Sequence, residues 1–339
     1  MTTINDIAKL AGVAKSTVSR HLNGGSVSRK TAAKIEAVIK QTGYVPNSFA
    51  QSLKAKESRM IGVIIPRLDS FSANCILSEI DEVFRQHNYQ VLIINSNFSV
   101  SREEEALRTF QVNKMDGVIF LMSHTDNRII ELLENVQVPI VTIGQEFLDE
   151  NTIYYDEESA GRQLADYLYA MGHRDMDFLT VTTTDPAVGI KRRDAIKQEF
   201  LKYGDTSFRE YTCGFNLMDG YQVTRDQVLL NKPRLIVGAT DIIAIGAMRA
   251  CLEAGYQVPE QINFAGFGNN VLGSSIYPGL TTVEYPYRHA GYVATKMLLD
   301  RIQGHETATK RKLETSLVIR QSVTAVLPNL KTKRFHFQI

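Results

Sequence analysis

The sequence predicts an α/β chain: a small all-α segment at the N-terminus, followed by a larger body of two lobes built on parallel sheets. Three observations carry this. From Met60 onward, short β-rich runs alternate with amphipathic stretches, the rhythm of βαβ units in which helices cover both faces of a parallel sheet. The first sixty residues hold three short helical patterns instead. The charge divides at the same place: residues 1–60 carry ten lysines and arginines against three acids, net +7, and the remainder nets −6.

The N-terminal segment begins with Asn5 as a helix cap. Ile7, Ala8, Leu10 and Ala11 form an apolar stripe, so the first helix runs over about 6–11 and Gly12 turns the chain out of it. Val13 anchors the turn. Residues 15–23 read as a second helix with Val18 and Leu22 inward, four apart, leaving Lys15, Ser16, Ser19 and Arg20 facing outward. Short polar and cationic side chains on one helix face suit base edges and phosphates in a major groove. A third helix follows from Ser28 as cap to about Gln41, with Ile35, Val38 and Ile39 at helical spacing and Gly43 closing it. After Pro46, Asn47 can cap a short helix containing Phe49, Ala50 and Leu53, too short to be stable alone because helix nucleation is costly. The basic balance suits phosphate neutralisation, although a solvated charged face would have the same composition.

In the body, strands are expected at 61–65, 91–95, 117–121, 140–143, 178–181, 235–238 and 262–266. Helices are expected near 73–86, 102–114, 157–170, 190–203, 219–230 and 242–254. About 280 residues exceed what one doubly wound core usually holds, so two sheets are expected, with ligand between them beyond the strands' carboxyl ends.

The runs INDIAKLAGVAKSTVSRHLNGG and VSRKTAAKIEAVIKQTGYVPNSFAQSLKAKESRMIGVIIP resemble the helix-turn-helix headpiece and hinge of the LacI/GalR family of transcriptional regulators. The resemblance continues through IVGATDIIAIGAMRACLEAGYQVPEQINFAGFGNN and YPGLTTVEYP, and so covers nearly the whole chain. It implies a headpiece at 1–46, a hinge helix and linker at 47–59, a two-lobed periplasmic-binding-protein type I core at 60–328 and a tail at 329–339. The N-lobe would take 60–156 and 285–312, and the C-lobe 157–284 and 313–328, the crossings serving as a hinge for lobe closure. Lys15, Ser16 and Arg20 fall at base-reading positions, Ser19 and Asn23 at backbone contacts, and Thr17 belongs to the same DNA-facing set. Asn47, Ala50 and Leu53 belong to the hinge helix, where the leucine would wedge between base pairs in the minor groove. Arg20 as a solvated helix charge and Leu53 as a packing residue are the plainer alternatives. Ala14 stands where the family usually has a serine cap, a loss worth about 1 kcal/mol.

On the effector side, the resemblance puts Asp69, Ser70, Arg192, Phe215 and Asp241 at or beside effector contacts, with Ser72 next to them. Phe215 would be a stacking platform, and Arg192 a donor to hydroxyl or anionic oxygens. Asp241 equally fits a helix cap, Phe215 a core position, and Arg193 competes with Arg192 for the inward place. Where the family commonly has GFDD, this chain has Gly266-Phe267-Gly268-Asn269-Asn270 and loses both acids. With Asn269 in the site and Lys191, Arg192 and Arg193 near it, that change is compatible with an anion, and so with a phosphorylated sugar.

Within the family, VAKSTVSR, PNSFAQSLKAK and IIPRLDS are most similar to sucrose-operon repressors of Gram-positive bacteria. The resemblance therefore implies a repressor of a carbohydrate-utilisation operon, binding pseudo-palindromic double-stranded DNA as a homodimer. A sugar or sugar phosphate would control it, with sucrose, sucrose 6-phosphate or fructose first. Its control by a corepressor or protein partner stays open, as does the sign of the coupling. The dimer face is expected on helices 73–86 and 242–254, and the tail, lacking a heptad repeat, argues against a terminal coiled coil.

Other classes fare worse. Gly266-Phe267-Gly268 lacks the third glycine of a dinucleotide fingerprint, Val271 standing in its place, and no catalytic constellation accompanies it. The seven histidines show no metal-ligand spacing, and the three cysteines are too scattered for a disulfide framework. No enzyme activity, metal or cofactor is expected. A sugar-transport protein would need an export signal and have no use for residues 1–56. With no apolar leader and no membrane-length run, a cytoplasmic protein is expected.

Overall fold

The computed structural model describes residues 2–22, 25–44, 58–146, 151–305 and 310–326. It divides into two units, 1–59 and 60–339.

In the first unit, α1 (Ile4–Ala11), α2 (Lys15–Leu22) and α3 (Arg29–Thr42) enclose one small core of Ile7, Ala8, Ala11, Val18 and Ile35. The cap of α1 is Thr3, not Asn5. The Thr3 hydroxyl accepts from the Asp6 N–H while the Asp6 carboxylate accepts from the Thr3 N–H, a reciprocal pair that Asn5 could not form. Leu10, expected in the apolar stripe, is 64% exposed, because Ile7, Ala8 and Ala11 already fill the buried face. Gly12 closes α1 in the left-handed region at φ +64°. Ser28 caps α3, its hydroxyl accepting from the Thr31 N–H, and Gly43 ends it. The proposed hinge residues Asn47, Ala50 and Leu53, together with Asn23 and the tail 329–339, lie outside the described residues.

The second unit contains two six-stranded sheets. The first runs β11-β5-β4-β3-β1-β2 and is parallel throughout: β1 (Met60–Ile65), β2 (Gln90–Asn95), β3 (Gly117–Leu121), β4 (Ile140–Ile143), β5 (Thr152–Tyr155) and β11 (Lys310–Leu313). Helices Phe71–Gln86 and Tyr287–Ile302 pack on one face, over Ile61, Val63, Ile65 and Ile119. Helix Val100–Val112 covers the other, burying Leu107 and Phe110 against Ile64, Val118 and Phe120.

The second sheet runs β12-β10-β9-β8-β6-β7: β6 (Asp175–Thr180), β7 (Ser207–Thr212), β8 (Leu235–Gly238), β9 (Asn263–Phe267), β10 (Thr281–Glu284) and β12 (Ser316–Val318). It is parallel except where β12 pairs antiparallel with β10. Its core joins Phe178, Leu179, Val237 and Phe264 to Leu164, Leu168, Phe200, Ile243 and Ala247 from the covering helices.

The body helix expected over 190–203 starts earlier and differently. Ala187–Arg192 forms a π-helical turn and the α-helix runs Arg193–Leu201. Gly189 lies in that turn against the chain after β6, where an added Cβ would sit 2.2 Å from the Thr182 carbonyl oxygen. The helix expected over 219–230 is Leu217–Asp226 followed by a short 3₁₀ turn, Val228–Asn231.

Three segments pass from sheet to sheet. β5 leads into helix Glu157–Ala170, β10 into helix Tyr287–Ile302, and β11 into β12. Three tyrosines mark the first two passages: Tyr155 stands edge-on to Tyr285 and Tyr287, which stack on each other at 5.7 Å. Asp156 ties the third to the first, its N–H donating to the Leu313 carbonyl and its carboxylate pairing with Lys312 at 2.9 Å.

Candidate nucleic-acid interface and effector cavity

In the first unit, Val18 is buried beneath α2, which rotates the opposite side of the helix to solvent. Lys15, Ser16 and Arg20 are exposed there, and Thr17 and Ser19 are partly buried at the edges. The Ala14 carbonyl accepts from the N–H groups of Thr17 and Val18, so the helix starts at Lys15 with backbone bonds but an alanine at the cap position. Lys9, Arg29, Lys30, Lys34 and Lys40 are also exposed, giving the unit a cationic surface.

In the second unit, a cavity of about 570 Å³ opens between the two sheets, at the carboxyl ends of their strands. The size falls within the usual range of about 300–1,000 Å³ for small-molecule sites. Asp69, Ser70, Ser72, Arg192, Phe215 and Asp241 all line it.

Their hydrogen bonds decide what each can do. The hydroxyls of Ser70 and Ser72 lie 2.9 Å apart, and Ser70 also caps helix Phe71–Gln86 by accepting from the Ala73 N–H. Asp69 accepts from Arg67 Nε at 2.8 Å. Phe215 stacks on Phe98, from the opposite sheet's loop, at 5.9 Å, and the Arg67 guanidinium lies 6.0 Å from its ring centre. One face of the expected platform is therefore already covered.

Arg192 points inward and is buried, but it is not an open donor. Its Nε and Nη2 donate to the two oxygens of Glu157, at 2.8 and 2.7 Å, and Nη1 donates to the Ala239 carbonyl at 2.7 Å. Burial opposes its charge, yet the adjoining Glu157 carboxylate holds the guanidinium's pKa above its ordinary value. Glu157 also accepts from the Tyr285 hydroxyl at 2.6 Å. Arg193 turns away to Asp194 and Glu210, and Lys191 donates to Glu146 at 2.6 Å. The basic run 191–193 is thus neutralised side chain by side chain, which removes the anion site expected from it.

Asp241 begins helix Asp241–Glu253, whose cap is Thr240. Its carboxylate accepts from the Asn270 N–H and the Thr282 hydroxyl, both at 2.6 Å, and so holds the loop after β9. Burial is the main cause of its pKa being raised to about 6. Asn269 is not on the cavity wall. Its backbone has φ +47° and its side-chain oxygen accepts from Arg320 Nη2 at 2.5 Å, turning it outward, while Asn270 lines the cavity in its place.

Several lining residues escaped the sequence reading. Glu157 looked like an ordinary acid in a first helical turn. Asp185 follows β6 and would have been found by applying the strand-end rule to that strand as well. Its Oδ1 accepts from Gln145 Nε2 at 2.9 Å, across the gap between sheets, and from the Val188 N–H at 3.2 Å; burial raises its carboxyl. Two hydroxyls on the wall, Ser123 Oγ and Tyr155 Oη, are buried without a hydrogen-bond partner among the described residues. Unpartnered buried hydroxyls cost free energy that a bound polar molecule can recover. Among the described residues, no group of histidine, cysteine and acidic side chains could hold a metal ion, and no helix is long and apolar enough to cross a membrane.

Comparison with known proteins gives the arrangement its relatives. Residues 3–47 match the model of bacterial regulatory proteins of the lacI family, and residues 165–323 match that of the periplasmic binding protein-like domain. The chain is 35% identical to the sucrose operon repressor of Staphylococcus xylosus, over 92% of this chain and 97% of that protein. It is 32% identical to the transcriptional regulator TreR of Salmonella typhimurium, over 89% and 94%. Among solved structures, the lac repressor dimer bound to operator and the anti-inducer ONPF superposes with a TM-score of 0.86 at 27% identity, covering 96% of this chain and 99% of that one. These relatives are transcriptional regulators, not enzymes. With both domain models matched in order and a relative this similar along almost its whole length, the chain belongs to the lacI family of bacterial transcriptional regulators.

Proposed function

We propose that the chain represses a carbohydrate-utilisation operon in the cytoplasm, binding pseudo-palindromic operator DNA as a homodimer under the control of a sugar or sugar phosphate. The observation that carries this is the cavity wall: paired serines, two unpartnered hydroxyls and stacked aromatics form a surface made for a polyol, in a chain that also carries an exposed cationic recognition helix. The sucrose operon repressor among its relatives makes sucrose, sucrose 6-phosphate and fructose the first effectors to test.

The division of labour follows the chain. Residues 1–46 form the headpiece, with Lys15, Ser16 and Arg20 reading bases, Ser19 and Asn23 contacting the backbone, and Thr17 in the same DNA-facing set. Residues 47–59 form a hinge in which Asn47, Ala50 and Leu53 meet the minor groove, and 60–328 form the effector core. Effector binding alters the angle between the two sheets and with it the footing of the hinge pair. A coupling of about 1–3 kcal/mol changes operator affinity by about 5- to 150-fold.

The test is titration of these sugars against full-length protein bound to a duplex selected from random sequence. Weakened binding identifies an inducer and tightened binding a corepressor; no change with any sugar overturns the effector assignment. Arg20→Ala should cost about 1–3 kcal/mol in specific affinity, and an unchanged affinity removes Arg20 from base reading.

A further inference from the structure

The charges around the cavity oppose an anionic ligand. Among the described lining residues the cations are Arg67 and Arg192, facing the carboxylates of Asp69, Glu157, Asp185 and Asp241; there is no lysine or histidine. Both guanidiniums already have carboxylate partners, Arg192 with Glu157 and Arg67 with Asp69. When all are ionised the wall carries more negative than positive charge, and among the described residues no cationic side chain is bonded to Asp185 or Asp241.

Helix N-termini could still attract a phosphate, and five long helices begin at this wall: Phe71–Gln86, Glu157–Ala170, Leu217–Asp226, Asp241–Glu253 and Tyr287–Ile302. Four of them are already supplied with an internal acceptor; Tyr287–Ile302, preceded by Pro286, has neither a capping side chain nor an acid in its first turn. The Ser70 hydroxyl accepts from the Ala73 N–H, and the Thr240 hydroxyl from the Ile243 N–H. Asp241 adds a carboxylate to the first turn of its helix, and Asp219 does the same for Leu217–Asp226, where it accepts from the Asn216 N–H. Asp156 serves Glu157–Ala170 in the same way, accepting from the Ser159 N–H, so four of the five helix ends are screened by the chain's own acceptors.

What remains suits hydroxyl groups. Among the described residues Ser123 Oγ and Tyr155 Oη are buried and unpartnered, and the Asp185 carboxylate uses Oδ1 for both of its bonds. A carboxylate accepts well from sugar hydroxyls and repels phosphate.

Building on the sugar-controlled reading above, we infer that the effector is a neutral, unphosphorylated sugar. Asp185 is the residue that discriminates against its phosphate ester, and Ser123 and Tyr155 bond its hydroxyls.

Calorimetric titration of the full-length protein with sucrose, trehalose and fructose, each beside its 6-phosphate, and with inorganic phosphate tests this. One neutral sugar should bind at least about tenfold more tightly than its 6-phosphate, and inorganic phosphate should not bind. Asp185→Asn, which keeps an acceptor but not the charge, should shrink that ratio about tenfold. Ser123→Ala should weaken the neutral sugar several-fold with the melting temperature unchanged. A 6-phosphate that binds as tightly as the free sugar overturns the inference and leaves sugar control standing. An unchanged ratio in folded Asp185→Asn overturns the role of Asp185. If no sugar or ester binds, the sugar-controlled reading falls and this inference with it.

Discussion

Removing the Glu157 side chain should destabilise the two-sheet unit far more than its place in a first helical turn suggests. Its oxygens take three bonds, from Arg192 Nε, Arg192 Nη2 and the Tyr285 hydroxyl, at 2.8, 2.7 and 2.6 Å. The Glu157 and Arg192 side chains are 4% and 5% exposed, so water cannot replace what is lost. Glu157→Ala leaves a buried guanidinium with only the Ala239 carbonyl among the partners described above. Breaking a buried pair from one side costs about 3–5 kcal/mol. For a unit of this size that is roughly 10 °C in melting temperature. Replacing both charges, with Glu157→Leu and Arg192→Met together, leaves no bare charge; it orphans the Tyr285 hydroxyl and the Ala239 carbonyl, for roughly 2 kcal/mol in total. Differential scanning calorimetry of wild type, single and double variants measures both. A loss below about 1 kcal/mol in the single variant, or a double variant less stable than the single, would refute the reasoning.

Three further outcomes are expected. The Asp241 carboxyl, raised by burial to about 6 from 3.8, favours the folded state below pH 4, and that contribution is lost as the pH rises through 6. Asp241→Asn should therefore gain about 3 kcal/mol on wild type between pH 4 and pH 7 in urea denaturation, and a constant difference would rule the titration out. Gly189→Ala forces a methyl group against the Thr182 carbonyl and should cost about 1–3 kcal/mol while displacing the turn that aims Arg192, read as a lower melting temperature. Phe215→Ala should weaken the bound sugar roughly tenfold with a much smaller change in melting temperature, since the ring is only partly buried; equal affinity would show that the ring does not touch the ligand.

The parallel sheets were legible because strands buried on both faces read as unbroken apolar runs. The 117–121, 140–143 and 235–238 runs coincide with β3, β4 and β8. Helix ends were less legible where two capping residues compete: Thr3 and Asn5 are both plausible caps, and the Asp6 carboxylate decides between them by reaching back to Thr3. The π-turn at Ala187–Arg192 leaves no periodic mark in a stretch this short, so the helix start was misplaced. In the cavity, adjacent asparagines were indistinguishable by type. Backbone twist at Asn269 and the pull of Arg320 send it outward, and Asn270 lines the wall. Glu157 could not be singled out at all, because its partners come from residues 35 and 128 positions away.

Because β11 and β12 come last among the described strands yet close the edges of different sheets, the first sheet cannot be completed until residue 313 has been made, nor the second until residue 318. A ribosome that stops near residue 305 would release a product with β5 and β10 as raw borders, each displaying unpaired backbone groups. Such a fragment should stick to its neighbours rather than survive as a shorter regulator, so for the chain's final strands the order of synthesis is itself a safeguard.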